Sequence, residues 1–295
     1  MIMLKKVSIV IASLALIVSC GDSNQQYVRK AVHIMDQQGL FAEGPAWEEA
    51  KAMALAAKPA SLEEAQELVR KAASVAGGKH SGLKLSGTVQ SDATAEWPSP
   101  SVIISESGIP IVKIPPFSGN HDEGVKYAST VLSAVPDDIP GVVIDLRGNT
   151  GGNMYPMIAA VHRFLPDDDG MLRFRTRKRT QWIPLSYAVQ VAGVEQRSRI
   201  ECPVAILTDD HTASSGEATL ICFRGLDYVR VFGSPTAGYA SANQPFPLHG
   251  GDHLILTTGC DLARTGDVFC DDPIDPDVVT ETPLADALEW IDNLK

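Results

Sequence analysis

Three features of the chain predict an α/β fold. Short apolar runs alternate with helical stretches along most of the sequence. Two of those runs end in turns rich in small residues that lead into a helix. The 295 residues are 44% hydrophobic, which is ample for a large core.

The elements follow in order. Lys5 and Lys6 precede an unbroken apolar run from Val7 to Val18, too short to span a bilayer comfortably. The run closes on Ile17-Val18-Ser19-Cys20, the pattern of a bacterial lipobox, so 1–19 is read as a lipoprotein signal peptide and Cys20 as the lipidated residue. Residues 20–78 read as a helical segment. Pro45 suits a first helical turn, and Ser61-Leu62-Glu63-Glu64 has the capping-box pattern before the apolar stripe Leu62, Ala65, Leu68, Val69 and Ala72. Gly77 and Gly78 end that helix.

Residues 79–295 read as the core. Leu83–Val89, Ile109–Ile114, Gly141–Leu146, Cys202–Leu207 and Tyr228–Phe232 have strand patterns. Gly124–Val135, Met154–Leu165, Ser214–Phe223 and Pro283–Leu294 have helical ones. Residues 166–201 break the alternation, carry the basic run Arg173–Arg179, and are expected to be an inserted cap.

Composition narrows the function. A net charge of −11 disfavours nucleic acid as a partner, and an acidic surface is compatible with cationic peptides. Of five cysteines, committing Cys20 to lipid leaves an even number in an oxidising compartment. Cys260 and Cys270 are able to close one loop, although spacing alone leaves the pairing open. No C-x-x-C pair marks a zinc or redox site. His249 and His253 lack a convincing third ligand, so neither metal nor cofactor is expected.

Two segments carry the chemistry. The first is Asp145-Leu146-Arg147-Gly148-Asn149-Thr150-Gly151-Gly152-Asn153, where a buried strand runs into a glycine turn whose amides suit an oxyanion. It lacks the Gly-Lys-Ser/Thr of a phosphate loop and the glycine spacing of a dinucleotide site. The second is Thr212-Ala213-Ser214-Ser215-Gly216-Glu217, a serine at a strand-to-helix turn. Alone it reads first as a helix N-cap serine, a common feature, and only second as a nucleophile.

Together, the two segments resemble the C-terminal-processing (tail-specific) serine peptidase family. Gly233-Ser234-Pro235-Thr236-Ala237-Gly238 and Asp275-Pro276-Asp277 are similar to its later motifs. Residues 237–243 and 273–277 look most like its nisin-resistance and tricorn-core-like branch. The resemblance implies a crotonase/ClpP-like peptidase core acting on peptides or unfolded proteins, with Ser214 as nucleophile. It implies an oxyanion hole from the amides of Ser215 and Gly151. Many members carry a lysine base where this chain has Tyr239, a poor base near neutrality. Members of that branch use a histidine placed after the N-terminal helices, where His80 stands, so His80 is expected to be the base. His211, three residues before Ser214, is the competing histidine and fits better as a turn residue. Cys270 occupies the place expected for an orienting acid. Glu217 is expected to support the helix start. The rival readings are a non-catalytic peptide- or ligand-binding module on the same fold, and an esterase.

Overall fold

The computed structural model describes residues 23–87, 97–168 and 170–294, so the leader and Cys20 lie outside the described residues. The chain divides into two compact units, one built from residues up to 93 with 243–258, the other from 94–242 with 259–295.

The first unit is helical. Residues 23–38 form α1, Gly44–Ala56 α2 and Leu62–Gly77 α3. Ser61 caps α3 by accepting from the Glu64 amide at 3.1 Å, and the Glu64 carboxylate accepts from the Ala60 amide at 2.8 Å. Trp47, Met35, Tyr27 and the α3 stripe Ala65, Val69 and Ala72 form the core, joined by Leu248, Leu254 and Leu256. The sequence boundary at residue 78 therefore omits a contribution from 243–258, which arrives from far along the chain to close the apolar face of α3. Strand β1 (Gly82–Lys84) pairs antiparallel with residues 253–255. Of the longer strand expected over Leu83–Val89, only Leu83 and Lys84 form a strand among the described residues, and 88 and 89 lie outside them.

The second unit is built on a six-stranded sheet. Its strands are β2 (Ser101–Ile104), β3 (Pro110–Lys113), β4 (Val142–Asp145), β7 (Val204–Thr208), β8 (Val229–Gly233) and β12 (Val278–Val279). They lie in the order β12-β8-β7-β4-β3-β2, parallel except for β2. Side chains alternate across the sheet. Val142, Ile144, Val204 and Ile206 enter one core with α4 (His121–Ala134), α5 (Met154–Val161), α6 (Leu185–Ala192) and α7 (Ser215–Ile221). Val143, Ala205 and Leu207 face α8 (Pro283–Asp292) through Ala287 and Ile291. Burial on both faces explains why these strands read as continuous apolar runs.

The remaining strands of this unit form a smaller antiparallel array. β5 (Leu172–Thr176) and β6 (Thr180–Ile183) make a hairpin, and β5 pairs with residues 259–262. Those residues end the strand His253–Leu262 and pair in turn with Val268–Phe269. Cys260 and Cys270 are joined as a disulfide with their Cα atoms 4.8 Å apart, while Cys202 and Cys222 are free and buried. The 166–201 stretch is thus a hairpin followed by α6, whose Leu185, Ala188, Val189 and Ala192 belong to the main core.

Candidate active site

In an open parallel sheet, ligands gather at the carboxyl ends of the strands. Both chemical segments sit there, one after β4 and the other after β7, which are neighbours in the sheet.

The two segments are stitched together by hydrogen bonds. Asp209 accepts the Gly148 amide with both oxygens, at 2.9 and 3.0 Å, and also the Thr212 hydroxyl at 3.1 Å. The Asn149 carbonyl accepts the Ala213 amide at 2.8 Å, and its side-chain amide donates to the Ile114 carbonyl at 2.9 Å. A Cβ on Gly216 would lie 2.8 Å from that Asn149 carbonyl, so the close approach requires glycine. The Ser215 hydroxyl donates to the Gly152 carbonyl at 2.7 Å. Asp145 anchors the base of the loop. Burial pushes its carboxyl up, but the bidentate Arg147 fork and the Lys113 ammonium outweigh burial and hold it below the usual range.

Ser214 occupies a special position in this frame. At φ 52° and ψ −116° it is the only non-glycine residue with positive φ among the described residues. Such a conformation costs free energy and persists only where surrounding structure imposes it. The imposing group is Glu217. Its carboxylate, fully buried, accepts four hydrogen bonds. Oε2 takes the amides of Ser214 at 2.8 Å and Tyr239 at 2.7 Å, while Oε1 takes the Gly238 amide at 2.9 Å and the Thr236 hydroxyl. Burial raises its carboxyl above the ordinary range, and these donors oppose that rise.

The glycine loop comes close to the serine. A Cβ on Gly151, at φ 99°, would lie 2.7 Å from Ser214 Cβ and 3.0 Å from the Ser215 amide nitrogen. The Gly151 amide, however, donates to Asn149 Oδ1 at 2.9 Å in a short local turn. That hydrogen is engaged within the loop in this structure. The amides of Gly152 and Ser215 meet no acceptor among the described residues. Ser215 opens α7, where no preceding turn offers a carbonyl.

The arrangement of a strained serine, a glycine strip against it and open backbone amides is that of an acyl-transfer site. The profile of peptidase family S41 matches residues 108–280.

The chain belongs to peptidase family S41.

It is accordingly a serine-type peptidase. It is 33% identical to the nisin-resistance protein of Lactococcus lactis over 91% of this chain and 87% of that one. A probable CtpA-like serine protease of Staphylococcus aureus is 24% identical over 59% of this chain, which spans only 34% of that longer protein. Among solved structures, a lipoprotein from Streptococcus agalactiae superposes with a TM-score of 0.83 at 29% identity, covering 92% of this chain and 97% of that one. The photosystem II D1 C-terminal processing protease shares the fold, with a TM-score of 0.64 at 12% identity over 88% of this chain and 93% of the other.

The histidines separate in this S41 chain. His211 is exposed, its side chain 69% accessible, and its Nδ1 lies 2.7 Å from Asp210. With Asp209 these residues form a small polar cluster, but Asp209 is already committed to the Gly148 amide. His162 is buried, with Nδ1 on the Ala159 carbonyl and Nε2 accepting the Arg197 amide, and burial lowers its pKa. His80 belongs to the first unit and is half-buried; its carbonyl accepts from the Asn243 side chain at 2.9 Å. Cys270, in its disulfide, supplies no acid to orient an imidazole.

Glu217 proves to do more than support a helix start. Its hold on Thr236, Gly238 and Tyr239 depends on a turn some twenty residues away, which no local pattern displays.

Proposed function

We propose that this peptidase hydrolyses extracytoplasmic peptides or protein tails through an acyl-enzyme on Ser214, with His80 as general base. His80 takes the Ser214 hydroxyl proton as the oxygen attacks the peptide carbonyl. The oxyanion is received by the amides of Ser215 and Gly152. The protonated imidazole then gives its proton to the departing amine. A water, deprotonated by the same imidazole, releases the acyl group and restores the serine. No step needs a metal or an organic cofactor.

The observation that carries this reading is the strained backbone of Ser214, held by a buried carboxylate against a glycine strip. A serine that only caps a helix has no use for such strain. The base is assigned from residue type and from its place after the N-terminal helices, as in the family branch that the sequence resembles. A fluorophosphonate probe tests the assignment. Label should attach to the purified wild type and be absent from Ser214→Ala and His80→Ala. Labelled Ser214→Ala would remove the nucleophile, and labelled His80→Ala with unlabelled His211→Ala would move the base.

The leader pattern and the likeness to a streptococcal lipoprotein support attachment through Cys20. No helix among the described residues is long and apolar enough to cross a membrane. Metabolic incorporation of a fatty-acid analogue should be lost in Cys20→Ala; retained label would refute the anchor.

A further inference from the structure

The hairpin of β5 and β6 has charge opposite to that of the chain as a whole. Five of the seven residues from Arg173 to Arg179 are basic, and no acidic residue occurs from Gly170 to Val194, although the net charge is −11. Arg175, Lys178 and Arg179 are exposed and make no ion pair among the described residues. β6 is the outer strand of its array, with Thr180, Gln181 and Trp182 exposed. Arg173 stacks on the Trp182 ring, 4.9 Å from its centroid, which keeps the indole beside the cations.

An outer strand presents unpaired backbone donors and acceptors, and extended peptides bind such edges by adding a strand. Proteins usually blunt an exposed edge by flanking it with charge. Here all the charge has one sign, so the edge repels cations and remains open to an extended anion. The hairpin is also tied to the surroundings of the serine. Phe174 of β5 pairs with Asp261, whose amide meets the Ala240 carbonyl at 3.4 Å, and the neighbouring Tyr239 amide is held by Glu217. Just beyond β6, Tyr187 packs edge-on against Tyr155, 6.1 Å between centroids, at the start of the helix that follows the glycine loop.

We infer that the Thr180–Ile183 edge and the adjoining cations form a recognition surface for extended peptide segments rich in Asp and Glu. This specifies the substrate class of the proposed peptidase and rests on that reading only for the fate of the bound peptide. The acidic chain as a whole would repel such a segment, so the hairpin selects where the segment lands.

The test is equilibrium binding, measured by fluorescence anisotropy on full-length Ser214→Ala protein. Three labelled peptides of one length differ only in whether four central residues are Glu, Gln or Lys. The Glu peptide should bind about tenfold tighter than the Gln peptide at low salt, as expected for three exposed charge pairs. That preference should vanish at high salt. In Arg175→Gln/Lys178→Gln/Arg179→Gln it should vanish at every salt concentration, with the affinity for the Gln peptide unchanged. Equal affinity for all three peptides, tighter binding of the Lys peptide, or a Glu preference that survives the triple variant would overturn the inference. So would a triple variant that retains peptide binding and instead loses adsorption to phosphatidylglycerol vesicles. Because the readout is binding, a chain that binds the Glu peptide selectively but cleaves nothing would refute the catalytic assignment and leave this surface standing.

Discussion

Replacing Ser214 by glycine should make the protein more stable while abolishing its chemistry. At φ 52° and ψ −116° the serine lies in backbone territory open to glycine and disfavoured for a residue with a Cβ. A conformation of this kind costs of order 1–3 kcal/mol. Glycine removes that cost but adds about 0.5–1 kcal/mol of unfolded-state freedom. The net gain is about 0.5–2 kcal/mol, or roughly 2–6 °C in melting temperature for a folded region of this size. Alanine keeps the Cβ and therefore the strain, so Ser214→Ala serves as the control and should melt near wild type. The assay is thermal and urea unfolding of the three proteins beside fluorophosphonate labelling. Both variants should fail to label, and only the glycine variant should gain stability. A Ser214→Gly protein no more stable than Ser214→Ala would refute the claim that this serine stores strain.

Other outcomes follow from the same geometry. Glu217→Gln would place an amide NH₂ against two of the four donors, and leaving buried donors unmatched costs about 1–3 kcal/mol each. Urea unfolding should show a loss of about 2–4 kcal/mol, with activity falling alongside; a loss below about 0.5 kcal/mol would remove the clamp. Gly151→Ala forces a Cβ to 2.7 Å from Ser214 Cβ at a φ of 99°, so serine labelling should fall at least a hundredfold while circular dichroism stays native. Unchanged labelling kinetics would show that the strip does not bear on the serine. Asp261 is buried with Oδ1 unpartnered, and burial first, then the nearby Glu217 carboxylate, pushes its pKa well above the ordinary value. The native state therefore keeps a proton that the unfolded chain releases near pH 4. That stabilisation is complete below this pH and is lost as pH rises through the raised pKa. Asp261→Asn should flatten the decline in urea midpoint as pH rises above about 4; parallel curves for the two proteins would exclude Asp261 as its source.

The sequence displayed most of the local features. β4, β7 and β8 were legible because strands buried on both faces are continuous apolar runs. Ser214 and the glycine loop were legible because strand-to-helix turns leave a mark of small residues. Long-range events left no such mark. β2 is a four-residue edge strand with three exposed positions, which leaves no buried apolar run to read. The recruitment of Leu248, Leu254 and Leu256 to the helical unit joins residues far apart in the chain. Asp209, which fixes the glycine loop, reads only as turn chemistry in sequence. The occupied amide of Gly151 had a visible cue, Asn149 two residues earlier, since Asn side chains commonly accept from the amide two positions on.

The hold of Glu217 on residue 239 passes through a backbone amide, a group that every residue except proline provides. The turn that poises the serine is therefore indifferent to which side chain residue 239 carries. A lineage can trade a lysine there for tyrosine, and recruit its proton acceptor from another part of the chain, without rebuilding the nucleophile. Through that contact the pose of the serine is insulated from the side chain at position 239.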